Sequence, residues 1–241
     1  MHLLAYEPGT IDGGAEAVDL GQSPGEIVFL SAADSELVSL ARASERLDVS
    51  LRLANLLQLQ HPLSVDTYIE KTLRHARLIV LRCLGGRGYW AYGTDELVNL
   101  ARETGVKIII LPGDAEPDAE FSARSTVPAA DVERLRQYLV SGGEENALNA
   151  LRFCQHLLGK ADEPAPAQSL LKAGAYAPER WALTDKPVAA ITFYRSLLEG
   201  GLTAPVDALC EALEARGLCP LPLYVSSLKD APSARVIAES L

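Results

Sequence analysis

Short apolar runs and helical patterns alternate along this chain from residue 27 onward, and that alternation admits few folds other than a parallel sheet wound with helices. Ile27-Val-Phe-Leu-Ser31 suits a buried strand. Asp34 is then expected to cap a helix running to about Arg46, with Leu37, Val38, Leu40 and Ala41 at helical spacing. Residues 51–59 fit strand or helix by pattern; their place between Asp48 and His61-Pro62 favours a strand. Ser64 reads as the cap of a helix over 65–76, and residues 77–84 have the continuous apolar character of a central strand. Gly85, Gly86 and Gly88 open a loop, and Thr94 is expected to cap a helix that ends at Gly105, where a left-handed residue costs little. Residues 106–112 form the clearest strand, closed by Pro112-Gly113-Asp114. The fold class is α/β: an open parallel-sheet domain, flavodoxin- or Rossmann-like, over residues 1–127.

After an irregular connection at 116–127, residues 128–141 and 144–158 repeat apolar positions every three or four residues. This predicts an αα-hairpin over 128–158, turning at Gly142-Gly143 and packed on the first domain. Residues 159–187, with Pro164, Pro166, Pro178 and Pro187, have the composition of a connector. Residues 188–241 then begin a second α/β domain as strand, helix, strand and the start of another helix. One such unit cannot bury both faces of a parallel sheet, so this domain is expected to be incomplete and the chain to be the amino-terminal piece of a longer protein.

Composition narrows the function. At 48% hydrophobic and 22% charged residues the chain is an ordinary globular one. Its net charge of −10 argues against nucleic acid as a partner, since such affinity is carried by Lys and Arg on phosphate. The sequence holds no apolar window of spanning length and no signal-like start, which points to a cytoplasmic protein without a membrane partner. Cys83, Cys154, Cys210 and Cys219 form no Cys-x-x-Cys pair and have no His at ligand spacing, so buried reduced thiols are expected rather than a metal site.

The loop Gly85 to Gly93 lies between a strand and a helix, where open α/β sheets bind ligands. Its spacing matches no phosphate-loop fingerprint. Tyr89, Trp90 and Tyr92 there can stack on a planar ligand or a neighbouring domain, or simply pack. His61, held extended before Pro62, can face the same crevice or be structural. Tyr194, Arg195 and Ser226 end the strands of the second sheet; Arg195 has the planar fork that grips a carboxylate, with a loop cap or an inter-domain salt bridge as the alternative. No nucleophile elbow or His-Glu-x-x-His pair occurs, and no catalytic, cofactor or metal residue is assigned.

Several of these segments also carry a resemblance. Tyr194-Arg195 with Gly200-Gly201, the helix from Asp207 to Gly217 and Leu221-Pro-Leu-Tyr-Val-Ser-Ser-Leu-Lys-Asp230 resemble the cobaltochelatase and magnesium chelatase large-subunit family. So do Phe29-Leu-Ser-Ala-Ala-Asp-Ser-Glu-Leu37, the run Leu53 to Tyr68, Tyr89-Trp-Ala-Tyr-Gly93 and Leu111-Pro-Gly-Asp114. Gly201-Leu202 departs from the pattern, where Gly followed by Asn or Asp is expected. The resemblance implies a much longer subunit of an ATP-dependent complex that inserts cobalt into hydrogenobyrinic acid a,c-diamide during cobalamin synthesis. ATP would be hydrolysed by two smaller ATPase-type partner subunits, and cobalt would be a substrate. This segment would bind no cofactor, would be inactive alone, and would join the remainder of the large subunit as its head, closing over the corrin-ring precursor or meeting the ATPases. A magnesium chelatase acting on protoporphyrin IX and a freestanding α/β ligand-binding module are the alternatives.

Overall fold

The computed structural model describes residues 16–83, 87–113 and 118–240; the expected glycines Gly85 and Gly86 and the turn residue Asp114 lie outside them. The first sheet comprises β1 (Ile27–Ser31), β2 (Leu51–Asn55), β3 (Leu78–Cys83) and β4 (Lys107–Pro112). All its pairs are parallel, in the order β2-β1-β3-β4. Strands with helices on both faces must be apolar on both, and the sequence obeys this in alternation. Val28, Leu30, Ile79, Leu81, Ile108 and Ile110 face one core, whereas Ile27, Phe29, Leu78, Val80, Ile109 and Leu111 face the other.

The first of these cores is closed by α2 (Pro62–Lys71), α3 (Ala91–Thr104) and a short α4 (Ala119–Arg124), through Val65, Tyr68, Trp90, Leu97, Leu100 and Phe121. The second is closed by α1 (Asp34–Ser44) and by the hairpin of α5 (Ala129–Ser141) and α6 (Glu144–Leu157). Val132, Leu135, Tyr138, Leu148, Leu151 and Phe153 of the hairpin belong to the same buried cluster as β1 and β3. The hairpin turn has φ of 64° at Gly142 and 87° at Gly143, a backbone that side chains disfavour.

Helix starts differ from expectation in three places. Ala33, not Asp34, is the N-cap of α1, and Asp34 instead accepts a hydrogen bond from Asn55 Nδ2 at 2.6 Å. His61, not Ser64, caps α2, because Pro62 at the first helical position places the imidazole over the Leu63 N–H. Ser64 is buried and its hydroxyl accepts from the Val18 amide at 2.7 Å. Trp90, not Thr94, precedes α3; the Thr94 hydroxyl donates back to the Trp90 carbonyl at 2.9 Å inside the first turn. Gly105 ends α3 in the left-handed region at φ 73°, as expected. Strand β2 is shorter than residues 51–59, because Leu56–Leu59 wind into a 3-10 turn whose Leu57 N–H is capped by the Asn55 side chain. The connection at 116–127 holds α4, capped by Asp118.

Trp90 shows how tightly the α3 start is packed. Its indole Nε1 donates to the Leu59 carbonyl at 2.7 Å, and a Cβ at Gly93 would lie 2.2 Å from the ring. Gly93→Ala therefore gains helix propensity yet must evict the indole. The expected outcome is a net loss of about 1–3 kcal/mol with a red-shifted tryptophan emission, checked by denaturant titration with fluorescence detection.

The second sheet is smaller, in the order β5-β7-β6. Strands β6 (Val188–Tyr194) and β7 (Cys219–Val225) run parallel through α7 (Arg195–Glu199) and α8 (Ala204–Glu214), and α9 (Ala231–Ser240) follows. The stretch 159–187 is more than a connector. Ala173–Ala175 form β5, antiparallel to β7, and Trp181 is buried against Phe193, Val206, Cys210 and Tyr224. Every residue of β7 is buried, whereas along β6 the residues Val188, Ala190, Thr192 and Tyr194 are exposed and alternate with more covered ones.

Candidate functional site

Strand order sets the place to look. From β1 the chain crosses to β2 on one side and then returns past β1 to β3 on the other, so the connections leaving β1 and β3 diverge at their carboxyl ends. Open α/β sheets bind ligands in that crevice. Here Ser31, the last residue of β1, is the register partner of Arg82 in β3.

Three polar groups meet in the crevice. Glu36, in the first turn of α1, forms an ion pair with Arg82 Nη1, and both side chains are nearly covered, at 13% and 12% exposure. The Ser31 hydroxyl donates to Glu36 Oε2 at 2.7 Å and accepts from the Ala33 amide at 3.1 Å; Arg82 Nη2 donates to the Gly113 carbonyl at 3.1 Å. Burial pushes the Glu36 carboxyl above the usual carboxylate range, opposed by the Arg82 charge and by the bonds from Ser31 and Arg82. Beside this cluster lies a half-enclosed cleft of about 190 Å³, walled by Ser35 and Ser39 of α1, by Tyr138 and Gly142-Gly143 of the hairpin, and by Glu199-Gly200.

Part of the wall thus comes from the second sheet's side of the chain. The Ser39 hydroxyl donates to the Glu199 carbonyl at 3.4 Å, and Arg42 donates to the Gly201 carbonyl. Arg195 Nη2 donates to the Ser141 carbonyl at 3.2 Å, while its Nε sits 2.8 Å from Glu199 Oε1. Arg195 is therefore engaged within the chain and braces the cleft through Glu199.

The other residues singled out by sequence do not gather there. His61 serves α2, its Nδ1 accepting from the Leu63 amide at 3.1 Å. Tyr89 packs against the first core, and burial, with Cys83 nearby, raises its phenol. Tyr194 is 60% exposed at the end of β6. Ser226 donates to the Lys172 carbonyl at 2.9 Å, tying the end of β7 to the start of β5. Tyr92 donates to Asp66 Oδ1 at 2.6 Å, and that bond holds its phenol at about 12. Asp66→Asn is expected to bring Tyr92 back toward 10, so ultraviolet titration should show one more tyrosine ionising between pH 10 and about 12 than in the wild type.

Among the described residues, no group of three or more His, Cys, Asp or Glu is arranged to hold a metal ion. All four cysteines are buried; burial raises the thiols of Cys83 to about 11 and Cys154 to about 12, which makes them poor nucleophiles. No helix among the described residues is long and apolar enough to cross a membrane. Ser31, Glu36 and Arg82 escaped the sequence reading. Their signal was a lone arginine inside the apolar run Leu78-Ile-Val-Leu-Arg-Cys83, where a buried charge requires a partner.

A wound parallel sheet with a polar crevice at its switch point is the architecture of a ligand-binding α/β protein, and comparison with known proteins narrows the class. Residues 136–241 match the family model described as CobN/Magnesium Chelatase. That stretch belongs to the CobN/magnesium chelatase family. The chain is similar to the aerobic cobaltochelatase subunit CobN of a Sinorhizobium species, 46% identical over 97% of this chain, and to that of Pseudomonas aeruginosa, 42% identical over 95%. The catalytic subunit of cobaltochelatase from Mycobacterium tuberculosis superposes over 89% of the chain with a TM-score of 0.72 at 29% identity. The chain spans 20% of the length of the two CobN relatives and 17% of the solved subunit.

Proposed function

We propose that this chain is part of the large subunit of an ATP-dependent cobaltochelatase, which inserts Co2+ into hydrogenobyrinic acid a,c-diamide in aerobic cobalamin biosynthesis. The observation that carries the reading is 46% identity to an aerobic cobaltochelatase subunit across 97% of the chain. Metal insertion requires a surface that grips a large planar ring, groups that accept the protons of its nitrogens, and delivery of the metal. Two smaller ATPase-type subunits hydrolyse ATP in this reading, cobalt is a substrate, and the complex works in the cytoplasm. The segment binds no cofactor of its own and is inactive alone, the reacting groups being supplied by the rest of the subunit. Its α/β layers form the head that closes over the ring or meets the ATPase partners.

The test is reconstitution. The full-length subunit carrying this sequence is combined with its ATPase partners, ATP and Co2+, and the corrinoid absorption is followed, with protoporphyrin IX and Mg2+ as the control pair. ATP-dependent cobalt insertion into the corrin precursor supports the reading. Turnover of protoporphyrin alone moves the protein to the magnesium branch, and turnover of neither overturns it.

A further inference from the structure

Two apolar clusters serve the first sheet and a third serves the second, and among the described residues the third shares no member with the others. What joins the two parts is polar. Ser39 and Arg42 donate to the Glu199 and Gly201 carbonyls, and Arg195 donates to the Ser141 carbonyl. Small polar contacts of this kind let parts of one chain move as bodies. The stretch that connects them, however, is tied down by its main chain. Arg134 Nη2 donates to the Pro164 carbonyl at 2.8 Å, and the Tyr138 hydroxyl donates to the Ala165 carbonyl at 2.6 Å. Asn146 holds Gln168 on both sides, its Nδ2 donating to the Gln168 carbonyl at 2.6 Å and its Oδ1 accepting from the Gln168 amide at 2.9 Å. All three of these side chains belong to the hairpin, and Arg134 also pairs with Glu163 at 3.1 Å. Pro164 and Pro166 favour an extended backbone here, with neither helix nor strand. Little apolar surface is buried with it: Ala167 packs on the hairpin core, whereas Ala165, Pro166, Gln168 and Ser169 stay exposed.

We infer that residues 163–170 are a latch. Docked on α5 and α6, they fix the second sheet, whose edge strand β5 begins at Ala173, against the hairpin. Released, they let the second sheet turn away from the first, carrying Glu199-Gly200 off Ser39 and opening the switch-point cleft beside Glu36 and Arg82. The bonds given up run from side chain to main chain at a partly exposed surface, and water takes the place of the strap at Tyr138 and Asn146, so release is a modest event. It melts neither sheet, because the Tyr138 ring stays in the cluster formed with Leu135 and Phe153. The latch is a property of the fold and does not depend on the chemistry proposed above.

The test uses the full-length subunit that carries this sequence, with spin labels on unnatural ketone-bearing residues in place of Glu45 and Glu214, both exposed, one just after α1 and one at the end of α8. Asn146→Ala removes the double grip on Gln168, and Tyr138→Phe removes the bond to Ala165 while leaving the ring in the core. Dipolar spectroscopy of the wild type should give one major distance with a longer minor component of roughly 1–10%. Either variant should raise that component about fivefold, the worth of one lost hydrogen bond. Trypsin cleavage after the exposed Lys172 should rise in step with it, since cutting follows the open population. Tyr138→Phe changes one hydroxyl and supplies a folded variant even where Asn146→Ala, at a buried position, does not fold. An unchanged distance distribution and cleavage rate in the folded variants overturns the latch. So does either change without the other: faster cleavage alone makes the strap a loose end and not a brace, and a longer distance alone shows the second sheet moving while the strap stays docked.

Discussion

Arg82→Ala is expected to destabilise the protein by about 3–5 kcal/mol, the usual consequence of stranding one member of a buried ion pair. The substitution leaves the Glu36 carboxylate under α1 with the Ser31 hydroxyl as its remaining donor. The loss should depend on pH with a definite sign. Burial already places the folded value of Glu36 above its ordinary 4.5, so the folded state holds the proton more tightly than the unfolded one. Stability from this group is complete below about 4.5 and declines as the pH rises through the raised folded value. Removing Arg82 raises that value further, so the variant should recover stability on acidification over a wider range than the wild type. The double substitution Glu36→Leu with Arg82→Met should restore most of the loss, because an apolar pair of similar volume avoids the desolvation cost. Urea midpoints at pH 5 and pH 7.5 for the three proteins check all of this. An Arg82→Ala midpoint equal to wild type at both values would show that the pair contributes nothing.

Phe153→Ala should be nearly as damaging, at about 3–5 kcal/mol, although the residue sits in a hairpin that sequence alone reads as an addition to the first domain. Phe153 is 1% exposed, stands 6.0 Å from the Tyr138 ring, and shares its cluster with Phe29, Val80 and Ile109 of the sheet. Without the hairpin only α1 would cover that face of the sheet, so the two are expected to melt together. The observable is coincidence of transitions. In a Trp181→Phe background, Trp90 emission reports the opposite face of the sheet, and far-ultraviolet dichroism reports the helices. Both are expected to shift by the same amount in Phe153→Ala. A helical signal lost ahead of Trp90 emission would instead make the hairpin a separate folding unit.

Where the pattern was long and periodic, sequence and structure agree: β1, β3 and β4 fall within a residue or two of their apolar runs, and α5 and α6 turn at Gly142-Gly143. Disagreement gathers where one residue decides. Asp34, Ser64 and Thr94 all have capping chemistry, but Pro62 fixed the start of α2 one turn earlier and the other two sit inside their helices. Strand β5 is Ala-Gly-Ala, with no periodicity to read, and exists because β7 offers it a ladder. The site was visible only in part. Position at the carboxyl edge follows from the wound topology, but His61 and Tyr92 found partners within their own neighbourhood. Glu36 and Arg82 lie 46 residues apart and become a pair only once β3 is laid beside β1.

Strand β6 lies at the rim of its sheet, with Val188 51% and Tyr194 60% exposed on an apolar, β-prone run. Such a rim is a template on which a second copy can add its own backbone. What holds copies of this segment apart in solution is then largely colloidal: a net charge of −10 acting over a screening length of about 10 Å at 0.1 M salt and about 3 Å at 1 M. The shelf life of the isolated segment is thus a matter of ionic strength, long in dilute buffer and short in concentrated salt, and any preparation meant for titration should be stored accordingly.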